Sequence, residues 1–190
     1  YLYDLLDLIL KKEVDSNFKF PINKNVEICL KKIFSKNLNY VGIAPGAGEK
    51  NKIWPLNNYI EICKYLESKN YQIVFYLGPN EKGYEKILKQ NFQNAIFLEN
   101  EKLLKNYSNI EIIMTSTKFL KFAISNDSGV SHMLSTNYCP LVKLFGPKDS
   151  KKFTPKLKNL ITVSSSEVNS EKIEDISVKR VISAIEDINL

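Results

Sequence analysis

The residues best placed to do chemistry lie in the run Asn126-Asp127-Ser128-Gly129-Val130-Ser131-His132. An acid, a hydroxyl and a glycine follow a short apolar segment, and the only histidine of the chain comes just after them. That is the composition of an anion site. Asp127 or Ser128 can cap a helix that starts near Gly129. Free N–H groups at such a helix end, together with its dipole, favour negative charge. Gly129 has no side chain to keep a phosphate away, and Ser128 can donate a hydroxyl hydrogen bond. His132 lies one turn in and reaches the same place. Taken alone, it fits a structural histidine as well as a functional one.

Three further loops share the same setting, just after an apolar run. In Ala44 to Leu56, APGAGEKNKIWPL, Gly46, Ala47 and Gly48 allow close backbone approach, and Lys50 and Lys52 can offer ammonium groups to phosphate. The spacing is neither GxxxxGK[ST] nor GxGxxG, so by itself the loop also reads as a basic turn. Trp54, the only tryptophan, reads as a packing residue beside Pro55. In LGPNEKGYEKI, 77–87, Asn80 is a candidate helix cap. Glu81 then falls in a first helical turn, where the dipole favours an acid in any case; alternatively, it accepts hydrogen bonds from a ribose. In LFGPKDSKKFTP, 144–155, Gly146 and Pro147 end an apolar run, and the lysines after them also suit a plain surface loop. No GxSxG elbow or second histidine is present, which disfavours an acylating hydrolase. Four such loops in equivalent positions describe a nucleotide diphosphate lying across the end of a sheet.

Composition narrows the classes. The 190 residues carry a net charge of +6, almost wholly from lysine, since Arg180 is the only arginine. The lysines are scattered and base reading favours arginine, so nucleic acid is not expected as a partner. The basic balance is compatible with peripheral attachment to the inner, anionic surface of a membrane. No apolar run reaches the length of a membrane span, and no signal-peptide pattern opens the chain. Cys29, Cys63 and Cys139 are far apart and form no CxxC pair. With one histidine they predict no metal site. They read as reduced core residues, and a cytoplasmic location follows. The chain starts at Tyr1 in the middle of an amphipathic pattern, which suggests that an N-terminal part precedes it.

Apolar runs at 40–45, 72–78, 95–98, 121–125, 140–146 and 159–163 have strand length and little alternation, as in strands covered on both faces. Helical periodicity falls between them. Ile60, Cys63 and Leu66 share a face within 57–69, Ile110, Ile113, Met114 and Thr117 form a stripe, and so do Val130, Met133 and Leu134. Met114 and Met133 read as core filler. Val178, Val181, Ile182 and Ile185 define a last helix. This α/β alternation predicts a Rossmann-like parallel sheet of about six strands with flanking helices. Ligands of such sheets bind beyond the carboxyl ends of the strands. Residues 1–39 read as two helical segments joined around Asp15 to Lys19 and Pro21.

The pieces PGAGEKNKIWPLNNY, YLGPNEK, SNDSGVSHML and CPLVKLFGPKDS, with the closing ISVKRVISAIEDI, resemble glycosyltransferase family 9, the ADP-heptose:lipopolysaccharide heptosyltransferases, over about residues 40 to 190. The resemblance implies the C-terminal, donor-binding half of a two-domain GT-B enzyme, with residues 1–39 as the connecting segment. It implies that Lys52 contacts the donor phosphates, that Glu81 meets the nucleoside, and that Asp127, Ser128, Gly129 and His132 form the D-[ST]-G-x-x-H donor run. Gly46 and Ala47 match the first phosphate-side loop, and Gly146 and Pro147 the FGP loop. The implied partners are a nucleotide-diphosphate sugar, ADP-heptose for instance, and a lipopolysaccharide-type or other glycan acceptor reached through the preceding half. That half would also supply the general base, so neither Asp127 nor Asp149 is assigned to it. Lys52 and His132 would stabilise the leaving diphosphate with no cofactor or metal. A non-catalytic nucleotide-sugar-binding module and half of a sugar-nucleotide epimerase are the alternative readings.

Overall fold

The computed structural model describes residues 20–146 and 159–188. Six strands form one sheet: β1 (Asn39–Ala44), β2 (Tyr71–Phe75), β3 (Ile96–Phe97), β4 (Leu120–Asn126), β5 (Leu141–Phe145) and β6 (Leu160–Ser164). Their order is β3-β2-β1-β4-β5-β6, and every neighbouring pair is parallel. All six coincide with apolar runs of the sequence. β5 is buried at every position, which explains its lack of alternation: helices cover both faces.

The helices are α1 (Lys24–Ile33), α2 (Leu56–Ser68), α3 (Lys82–Asn91), α4 (Asn109–Ser116), α5 (Gly129–Leu134) and α6 (Val178–Glu186). One face of the sheet buries Tyr59, Ile62, Cys63 and Leu66 of α2, Leu88 of α3 and Val181, Ala184 and Ile185 of α6. The other buries Val26 and Leu30 of α1, Ile112 of α4 and Leu134 of α5. Two apolar cores therefore sandwich the sheet, and burial of this kind stabilises at roughly 25 cal/mol per Å².

Of the two helical segments expected within 1–39, the second is α1, and the first lies outside the described residues. Asn23 caps α1 by accepting from the N–H groups of Asn25 and Val26. Its amide also donates to Glu111 of α4 at 2.8 Å.

Two local readings need correction. Ile110 does not join the buried stripe of α4, being 55 % exposed. The buried face consists of Ile112, Thr115 and Ser116, because Ser116 is drawn to the sheet by a 2.7 Å hydrogen bond with the hydroxyl of Tyr76. Asn80 does not cap α3 either. A 3-10 turn over Pro79–Glu81 leads into the helix, and Glu81 takes the cap position without capping through its side chain.

Consecutive strands run outward from β1 in one direction up to β3, and the chain then crosses back to place β4 on the other side of β1. The order reverses between β1 and β4, and a crevice opens there at the carboxyl ends of the strands. The loops after β1 and β4 face each other across it.

Candidate functional site

A cleft of about 230 Å³ occupies that crevice. The loop after β1 contributes Gly46, Ala47 and Gly48, the loop after β2 contributes Gly78, Asn80 and Glu81, and the start of α5 contributes Ser128, Gly129, Val130 and Met133. Met133 and Val130, read from sequence as core, are thus wall residues of the cleft.

Glu81 closes one end. Its side chain is folded back into the protein, and the residue is 7 % exposed. Oε2 accepts from the N–H of Gly78 at 2.7 Å. The carboxyl group lies directly on Gly46, where an added Cβ would stand 2.4 Å from the carboxyl carbon and from Oε1. The absence of a side chain at Gly46 therefore makes room for Glu81, and Gly46 itself lines the cleft. Gly129 matches its expectation better: a Cβ there would meet nothing within 4 Å, so the approach to the start of α5 is open.

At the α5 end, of the two cap candidates it is Ser128 that caps the helix. Its Oγ accepts from the N–H of Ser131, and Ser131 Oγ accepts in return from the N–H of Ser128. Ser128 Oγ thus serves as an acceptor in a capping box, a role that does not use its own O–H. Asp127 is engaged elsewhere. Its Oδ2 lies 3.2 Å from Lys52 Nζ and its Oδ1 2.7 Å from Lys143 Nζ. Burial alone would raise the Asp127 carboxyl; Lys143 first and Lys52 second outweigh it and hold it below its ordinary value. Lys52, also 3.2 Å from Glu49, is held above its ordinary value despite partial burial, through Asp127 and Glu49. Lys143 is pushed down by its burial, which the attraction of Asp127 only partly offsets.

His132 is exposed and stands within the field of this cluster. Partial desolvation of the ring, then the charge of Lys143 and more weakly that of Lys52, keep its imidazole below the ordinary range against the pull of Asp127.

Asn126 fixes the frame. Its Oδ1 accepts from the Tyr59 hydroxyl at 2.8 Å and from the Trp54 N–H at 3.3 Å, and its amide donates to Pro45 O at 2.7 Å. Trp54, fully buried, donates from Nε1 to Ile176 O at 2.9 Å. The turn Lys50–Lys52 is thereby locked beside the end of β4, which brings Lys52 to Asp127. Gly146 supports the same turn from below. A Cβ there would lie 2.9 Å from Asn51 O and from Ile173 Cβ, so its role is close packing, away from the cleft. Pro147 lies outside the described residues.

Sequence reasoning missed Lys143 and Asn126. The signal for Lys143 was present in PLVKLFG: a lysine within a strand buried on both faces needs a counter-charge. Asn126 carried no such signal, because its three partners come from distant segments. Among the described residues no group of three His, Cys, Asp or Glu side chains gathers to hold a metal ion.

A model of glycosyltransferase family 9 (heptosyltransferase) matches residues 5–180. The chain is 26% identical over 178 residues to lipopolysaccharide heptosyltransferase 1 of Campylobacter coli, covering 90% of this chain and 50% of that protein. A family 9 glycosyltransferase from Veillonella parvula superposes with a TM-score of 0.79 at 18% identity, over 96% of this chain and 58% of that one. The E. coli heptosyltransferase WaaC, solved with ADP-2-deoxy-2-fluoro heptose, does so with a TM-score of 0.71 at 18% identity, over 97% and 53%. The chain therefore spans about half the length of the relatives it matches.

Proposed function

The chain belongs to glycosyltransferase family 9, and from that premise we propose that it is the donor-binding half of a heptosyltransferase-like enzyme, with a nucleotide-diphosphate sugar in the cleft between β1 and β4. The observation that supports this reading is that Glu81 and Gly129 line one cleft, while Asp127, next to the cleft residue Ser128, holds Lys52 at 3.2 Å with His132 in the field of the pair. Residues 1–39 would connect this half to the acceptor-binding one.

The geometry suggests an orientation. Glu81 offers acceptor oxygens to nucleoside hydroxyls. The diphosphate would lie at the open approach to Gly129, and Lys52 and His132 would turn to it from the neighbouring charge cluster. In the transfer, the acceptor oxygen forms a bond to the anomeric carbon while the bond from that carbon to the diphosphate oxygen breaks. The electron pair leaves with the diphosphate, and the acceptor proton passes to a base in the other half. Charge grows on the diphosphate as the bond breaks, and a preorganised cation nearby stabilises it most at that point. The acceptor would be a lipopolysaccharide-type or other glycan. Family membership favours transfer over epimerisation and over a binding module without activity.

Calorimetric titration with ADP, UDP and GDP tests the reading. We expect one of them to bind, ADP being the nucleotide named with WaaC, and binding of none overturns it. Activity requires both halves: the joined protein should glycosylate an acceptor, and this chain alone should not.

A further inference from the structure

We infer that Lys143 is a positioning residue of the anion site: by holding the charge of Asp127 it lets Lys52 leave that carboxylate for a bound diphosphate. The inference rests on the donor-site reading above and adds to it a residue which that reading does not use.

Asp127 is shared by two lysines of unlike circumstance. Lys143 Nζ meets Oδ1 from within β5, with its side chain 2 % exposed. It sits within a strand buried at every position and is not among the residues that line the cleft. Lys52 Nζ meets Oδ2 from a short turn, with its side chain 18 % exposed and a second, surface partner in Glu49. One cation is thus built into the sheet and the other can swing outward. Were Lys52 the only counter-ion, its departure would leave a buried carboxylate uncompensated, and the diphosphate would have to compete with Asp127 for it. Lys143 removes that competition.

The fit of Lys143 argues for a role beyond packing. The residue is 1 % exposed, yet its ammonium group makes no well-angled hydrogen bond among the described residues. Its surroundings are the Asp127 oxygen and the face of Phe145, 4.8 Å away. A buried ammonium so poorly solvated stabilises little by itself; what it does supply is a fixed positive charge beneath the site. Burial lowers the affinity of the His132 imidazole for its proton first, and the charge of Lys143 adds to that lowering.

The test compares ADP binding to the wild-type chain, Lys143→Met and the charge-balanced Lys143→Met/Asp127→Asn, with His132 followed by NMR as the only imidazole of the protein. Lys143→Met should weaken ADP binding by about tenfold, since Asp127 then competes for Lys52. The double variant should recover most of that loss. The His132 ring should titrate at higher pH in Lys143→Met than in the wild type, a change that repacking alone does not produce. ADP affinity equal in all three proteins overturns the inference, and so does a loss that the double variant does not recover with His132 unmoved. If the wild type itself binds no ADP, UDP or GDP, the donor-site reading fails first. Should Lys143→Met not fold, the wild-type chain still decides: saturating ADP must shift the NMR signal of the Lys52 side chain and leave that of Lys143 in place. Equal shifts of both overturn the inference.

Discussion

Two carboxylates, Glu81 in the lining of the cleft and Asp127 just before its residue Ser128, are held in opposite ways. Glu81 is held by neutral structure, the N–H of Gly78 and the bare backbone of Gly46. Asp127 is held by charge, one ammonium group on each oxygen. The contrast separates their capacities. A carboxylate supported by a single N–H keeps lone pairs for further donors, and hydroxyl groups of a ligand can use them. A carboxylate with a lysine on each oxygen has little left to offer; what it does is gather cations. Asp127 does not cap α5; its charge is committed first to Lys143 and Lys52. In the proposed site it would gather the positive charge, and Glu81 would offer the acceptor oxygens.

The largest effect should come from breaking the charge cluster. Asp127→Ala leaves Lys143 buried without its counter-charge, and urea unfolding should show a loss of about 3–5 kcal/mol. Glu81→Gln, which keeps a neutral acceptor on Gly78, should cost far less in the same measurement; equal losses would erase the distinction between the two carboxylates.

Next comes Lys52→Ala. Loss of a charge-assisted contact to phosphate is worth about 1.5–3 kcal/mol, so ADP binding should weaken by at least an order of magnitude while adenosine binding holds. Calorimetry with both ligands reads the difference. Gly46→Ala should act through Glu81. Its methyl group displaces the Glu81 carboxyl, so adenosine and ADP should weaken together by about 1 kcal/mol, the worth of one ordinary hydrogen bond, with inorganic pyrophosphate unaffected.

The smallest effect concerns pH. In the free protein the His132 imidazole sits below its ordinary value, and a neighbouring diphosphate raises it. Binding therefore takes up a proton between those two values, and the His132 contribution to ADP affinity rises as pH falls from the bound-state value toward the lower free-state one. A change of about threefold per pH unit is expected, within the tenfold limit for one proton. His132→Gln should leave only the titration of the nucleotide itself, and an unchanged slope in that variant would remove His132 from the charge cluster.

Much of this was readable along the chain. The six strands, α2, α5 and α6 show in apolar runs and helical spacing because burial of one element against its neighbours is a local demand on residue type. Parallel order followed from alternation, and placement of the loops at one edge followed from parallel order. For that reason Gly46, Glu81, Ser128 and Gly129 were expected together, and the structure places them around one cleft. Local spacing failed where a partner from elsewhere decided the outcome. The exposed Ile110 and the buried Ser116 reflect the reach of Tyr76, and the reason for Gly46 lies in Glu81.

Sequence alone determined the layered α/β arrangement and the gathering of the loops at the carboxyl edge of the sheet, since patterning and connection rules act over short stretches of chain; the switch between β1 and β4 came from the strand order. Only the tertiary structure decided which charge belongs to which. Lys52, Asp127 and Lys143 come from separate loops and strands, and their pairing depends on distances of about 3 Å set by the register of β4 on β5 and by the grip of Asn126 on the turn before Trp54. Electrostatic coupling falls with distance in space and is indifferent to distance along the chain, so no reading of one residue after another could have assigned it.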